Sequence, residues 1–139
     1  MTNKDIEISI SQKGDVSILN IKGDVSAITG EAIEEAYQKV STDGAKKILL
    51  YFNPDGYINS GGIAILIGVA SESMKNKQKI RITGLSSHFQ KIFHMVGLTK
   101  YTEIFPSEES ALKGFWIQGL LSPPFNLQND INIRILETI

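Results

Sequence analysis

Asn59-Ser60-Gly61-Gly62 is the stretch of this chain whose residue types and spacing invite chemistry, because it leads straight into the apolar run from Ile63 to Ala70. A helix beginning there offers unpaired N–H groups and the positive end of its dipole. Such an end can hold an anion, and a serine placed on it can carry a phosphate. It can also be a closely packed strand-to-helix turn with nothing bound. In that case Asn59 or Ser60 is the cap, and Gly61 and Gly62 let another segment approach where a Cβ would stand in the way. Neither G-x-x-x-x-G-K-[ST] nor G-x-G-x-x-G occurs, so a nucleotide-binding motif proper is missing.

The remaining candidates for chemistry are weaker. His88 and His94 are six apart, on opposite sides of a helix, and cannot share a metal. Glu34-Glu35 and Glu108-Glu109 are adjacent, so the two carboxylates of each pair point different ways and form no acid/base dyad. No G-x-S-x-G is present and no histidine lies near Ser60 in sequence. The expectation is therefore a protein that is not an enzyme and carries no metal or cofactor. Lys75, Lys77, Lys79 and Arg81 lie close together, most simply as a solvated helix end running into a strand. With 14 basic and 15 acidic residues the net charge is -1, which gives no general attraction to nucleic acid.

The chain has no cysteine, which excludes disulfides and thiol chemistry. Met1 to Asp5 turns polar at once, unlike a signal peptide. Ile63–Ala70 is far shorter than the ~20 residues a membrane span needs. A cytoplasmic protein without membrane insertion is expected.

The elements that must position the 59–62 loop can be read in order. Ile6, Ile8 and Ile10 alternate with polar residues, Lys13-Gly14-Asp15 turns, and Val16 to Ile21 continues, giving a hairpin that ends at Lys22-Gly23. A helix follows near Thr29 to Ser41, with Ile33, Ala36, Tyr37 and Val40 on one face. Ile48-Leu49-Leu50-Tyr51-Phe52 is continuously apolar, as in a central strand buried on both faces. The spacing then predicts a buried helix from about Ser60 to Lys75 and a strand Ile80–Thr83. Next comes a helix capped by Ser87 with Gln90, whose apolar face is Phe89, Ile92, Phe93 and Val96. A strand from Tyr101 to Phe105 and a last helix capped by Ser107 complete the order β-β-α-β-α-β-α-β-α. That is an α/β fold with a mixed sheet covered by helices.

The strand "KKILLYF", the loop "YINSGG", the helix "IAILIGVASESMKNKQKIRITGL" and the later "SSHFQKIFHMVGLTKYTEIFPSEESAL" together resemble the STAS domain of bacterial anti-sigma factor antagonists, over roughly residues 5 to 115. The resemblance implies a STAS-like fold and a regulatory, protein-binding role in partner switching. The implied partner is an anti-sigma factor related to histidine kinases, which phosphorylates a serine of a D-S-S-G motif at this loop and is thereby released. Here Asn59 stands at the Asp, Ser60 at the first serine, Gly61 at the phosphorylated serine and Gly62 at the glycine. Tyr51 replaces an acidic residue that is common at the end of the preceding strand. Gly23 and Asp24 fit the family's other loop, in which Ser26 replaces an acidic or polar residue. The implied partner-binding surface is Gly23, Asp24, Ser26, Asn59, Ser60, Gly61 and Gly62, with Ser60 the nearest remaining phosphate acceptor. The alternative is a STAS adaptor or scaffold subunit of a larger signalling or transporter complex, without a phosphate cycle.

After Phe115 the composition changes. Residues 1–115 make the STAS-like domain, and 116–139 an apolar extension with Pro123-Pro124 and the alternating Ile131-Asn132-Ile133-Arg134-Ile135. Trp116, Ile117, Leu120, Leu121, Phe125 and Leu127 are too apolar for a solvated linker. The extension is expected to dock on the domain or, by slight preference, to make a homodimer.

Overall fold

The alternation of Ile6, Ile8 and Ile10 becomes β1 (Ile6–Lys13), which turns at Gly14, φ +59°, into the antiparallel β2 (Val16–Gly23). This is a computed structural model, and it describes residues 6–121, with side chains as far as Phe115. The segment 131–135 and Pro123-Pro124 lie outside the described residues. After the hairpin come α1 (Gly30–Thr42), β3 (Lys47–Phe52), α2 (Ser60–Lys75), β4 (Lys79–Thr83), α3 (Ser87–Met95), β5 (Glu103–Phe105) and α4 (Glu108–Leu121). The strands lie side by side in chain order, β1-β2-β3-β4-β5, and every pair after the first is parallel.

Strand residues alternate between two faces, and each face has its own cover. Leu19, Ile21, Leu50, Phe52 and Ile82 face α1, α2 and α3 in the larger core, which Tyr37, Leu66 and Phe93 fill. Val16, Ile18 and Leu49 face α4 through Ala111, Leu112 and Phe115. β3 is apolar from Ile48 to Phe52 because both its faces are covered, and burying each of its aliphatic side chains contributes about 1.5–3 kcal/mol. Polar groups inside the larger core are matched. The Tyr37 hydroxyl donates to Gln78 Oε1 at 2.6 Å, and Gln78 Nε2 donates to Ser41 Oγ at 3.0 Å and to the Ala45 carbonyl at 3.1 Å.

Several local expectations are corrected. Ser86, not Ser87, caps α3, accepting from the Phe89 N–H, while the Gln90 side chain donates to the Leu85 carbonyl. Val96 is the residue just past the helix and is 44% exposed, and the chain turns at Gly97, φ +84°, directly after it. Tyr101 is not in a strand: a 3-10 turn at Leu98–Lys100 uses up that part of the chain and leaves only Glu103–Phe105 for β5. Lys75, Lys77 and Lys79 are solvated as expected, but Arg81 is not. It points under α4, paired with Glu103 Oε1 at 3.1 Å, with its guanidinium 5.0 Å from the Phe115 ring centre. Burial lowers its pKa. α4 continues to Leu121, so the change of composition after Phe115 falls within a helix.

Candidate functional site

The two loops singled out by sequence are held together, and the contacts are mostly backbone. The Val25 N–H donates to the Tyr57 carbonyl at 2.8 Å, and the Asn59 N–H donates to the Val25 carbonyl at 3.0 Å, making an isolated parallel bridge between Val25 and Ile58. Asp24 adds a side-chain tie, its Oδ1 accepting from the Tyr57 N–H at 2.9 Å. The β2–α1 loop is pinned in turn. Thr29 Oγ1 donates to the Asp24 carbonyl at 2.8 Å and accepts from the Ser26 N–H at 2.8 Å, while Ser26 Oγ accepts from the Thr29 N–H at 3.1 Å. Ser26 is thus engaged in shaping its own loop.

Asn59, rather than Ser60, is the cap of α2: its backbone is extended and its Oδ1 accepts from the Gly62 N–H at 2.9 Å. An Asn side chain reaches the third N–H of a helix as readily as a serine does, and the extended backbone at 59 decides which residue takes the role. Ser60 is the first helical residue and is exposed.

The glycines answer a packing demand. A Cβ on Gly62 would stand 2.5 Å from the Val25 carbonyl oxygen, and one on Gly61 would stand 2.9 Å from the Cβ of Ala27. The β2–α1 loop occupies the space that side chains at 61 and 62 would need. Gly23, Asp24, Ser26, Asn59, Ser60, Gly61 and Gly62 therefore share one region. His88 lies close by, its ring 4.9 Å from that of Phe89, while His94 sits at the other end of α3. Among the described residues no group of three or more His, Cys, Asp or Glu is placed to hold a metal.

Sequence reasoning missed two members of this surface, Ile28 and Tyr57, which are 65% and 60% exposed. The Tyr57 ring stands edge-on to Phe89 at 5.6 Å, so one side of it is packed and the other is open. The available signal was an apolar residue inside each loop, outside any periodic element.

Comparison with known proteins agrees with the fold. The model of the STAS domain family matches residues 7–111. The anti-sigma-F factor antagonist RsfB of Mycobacterium tuberculosis is 27% identical over 109 residues, covering 78% of this chain and 88% of the relative. Among solved structures, an anti-sigma factor antagonist from Mycobacterium paratuberculosis superposes with a TM-score of 0.68 at 20% identity, over 78% of this chain and 92% of the other. The phosphorylated form of the Bacillus cell fate determinant SpoIIAA superposes with a TM-score of 0.57 at 16% identity, over 78% of this chain and 99% of the other.

Proposed function

The chain belongs to the STAS domain family, and from that premise we propose that it is a non-catalytic regulatory module, an anti-sigma factor antagonist that docks on a histidine-kinase-like anti-sigma factor. The docking surface in this reading is the start of α2 at Asn59, Ser60, Gly61 and Gly62 together with the loop carrying Gly23, Asp24 and Ser26. The observation that carries it is the exposure of Ile28 and Tyr57 on loops that are otherwise tied together by hydrogen bonds. A rigid polar scaffold with two apolar side chains presented outward is what a protein interface uses as anchors. The likeness to RsfB, named as an anti-sigma-F factor antagonist, supports the kind of partner.

The usual phosphate acceptor is replaced by Gly61, and the contact with Ala27 favours a second reading, an adaptor or scaffold subunit without a phosphate cycle. Ser60 is the exposed hydroxyl left at the helix start. The two readings separate in one experiment, a pull-down from the source cell followed by calorimetric titration of each recovered anti-sigma factor. The antagonist reading expects a stable complex with an anti-sigma factor, weakened at least tenfold by Ile28→Glu with no change in melting temperature. Recovery of a multiprotein scaffold and no anti-sigma factor supports the adaptor, and equal binding by Ile28→Glu removes this surface from the interface.

A further inference from the structure

β1 is an open edge of the sheet, bonded to β2 on one side and to no described strand on the other. Its apolar side chains are only partly covered. Ile6 is buried and Ile8 half-buried, but Ile10 is 40% exposed. Beyond them a groove of about 370 Å³ runs between β1 and α1, with Ile8, Ile10, Ala32 and Ala36 as its floor and Glu35 and Lys39 at its rim. The opposite face of the same strand carries Glu7, Ser9 and Ser11, all exposed. An edge that is apolar on one face and polar on the other accepts a strand that alternates in the same way.

The chain itself carries such a segment, Ile131-Asn132-Ile133-Arg134-Ile135. We propose that residues 131–135 add to the β1 edge of their own chain as a further, antiparallel strand, with Ile131, Ile133 and Ile135 entering the groove beside Ile10, Ile8 and Ile6. Charge selects the direction. With Ile133 opposite Ile8, the antiparallel alignment sets Arg134 across from Glu7, whereas the parallel alignment with Ile131 opposite Ile6 sets it across from Ser9. Reach permits it. α4 is described as far as Leu121, and the ten residues from 122 to 131 can span at most about 33 Å. The five strands of the sheet span only roughly 19 Å from first to last. The tether selects the chain's own segment over that of a second copy, because a short covalent link keeps its end at an effective concentration on the order of millimolar. This placement stands independently of the partner proposed above.

The absence of cysteine makes the test clean. In the full chain, Ser9→Cys with Asn132→Cys places two thiols on the solvent face at directly opposed positions, within the spacing a disulfide accepts. After mild oxidation a crosslink inside one chain is expected, with faster migration on a non-reducing gel and a monomer mass by light scattering. A crosslink between chains overturns the proposal in favour of a swapped dimer, and the lack of any crosslink overturns it outright. Hydrogen exchange gives a second readout without engineered thiols. The β1 amides that point away from β2 exchange at least tenfold more slowly in the wild-type chain than in full-length Ile133→Glu; equal rates in the two proteins overturn the docking.

Discussion

A Cβ on Gly61 and the Cβ of Ala27 would stand 2.9 Å apart, closer than two such atoms tolerate. The α2 start and the β2–α1 loop are therefore fitted to each other at a position where a serine would not go unnoticed. Gly61→Ser is expected to cost about 1–3 kcal/mol, the usual range for forcing extra volume into a packed contact. Gly61→Ser combined with Ala27→Gly is expected to recover part of that loss, since the Ala27 N–H side of the contact, at 3.0 Å, remains. Urea unfolding of the four proteins of the cycle checks it, and additive losses would mean the two residues are not coupled.

Asn59→Ala and Ser60→Ala are expected to behave differently although the residues are adjacent. Removing Asn59 Oδ1 leaves the Gly62 N–H without its acceptor and costs about 0.5–2 kcal/mol. Ser60→Ala stays within about 0.5 kcal/mol, as for an ordinary surface change. Denaturant midpoints decide, and a reversal of the two values would make Ser60 the cap.

Incubation with the anti-sigma factor of the proposed antagonist reading is expected to leave residue 61 unmodified, because a glycine has no hydroxyl, and to leave Ser60 without stoichiometric phosphate. Phosphopeptide mapping reads this directly. A full phosphate on Ser60 would restore the switch one residue away from its usual place.

The buried Tyr37 hydroxyl is expected to be worth more than its single atom. Tyr37→Phe leaves Gln78 Oε1 without its 2.6 Å donor inside the core, and takes the acceptor from Asn76 Nδ2 at 3.1 Å. The expected loss is about 1–3 kcal/mol at an unchanged denaturant slope.

Asp15 supplies a pH test. Its pKa is lowered from 3.8 first by the hydrogen bond from Lys47, whose Nζ lies 2.8 Å from Oδ2. A depressed carboxylate pKa stabilises the fold above the unfolded value, and that contribution disappears as pH falls through the folded one. The group is largely exposed, so the effect is small. Asp15→Asn is expected to melt slightly below the wild type at pH 7, and the difference is expected to shrink as the pH falls below 3.8.

The element order was legible because the periods are clean: two in Ile6–Ile10, 3.6 in Ile33–Val40, and an unbroken run in Ile48–Phe52. The position of α2 was legible from the cluster Asn59 to Gly62, with its start and end as read. The corrected details are set by tertiary contacts. Ser86 and Ser87 are equivalent in composition, and only the extended backbone at 86 gives it the cap. Arg81 reads as a surface cation until α4 is laid over β4, where Phe105 and Phe115 take its guanidinium between them. In the site, the seven expected residues were brought together, but Ile28 and Tyr57 belong to no period and their exposure follows from the meeting of two distant loops.

The identity of strand order and chain order bears on synthesis. As the chain leaves the ribosome, β1 and β2 can close on each other by a local turn, and each later strand finds the strand before it already in place beside it. No strand has to be inserted between two earlier ones, so assembly can proceed from the N-terminus at the pace of translation. The face formed by Val16, Ile18 and Leu49 is the exception, because its cover, α4, comes after all five described strands. During that interval the nascent sheet shows bare aliphatic surface on one side, and it is there that a chaperone would hold it.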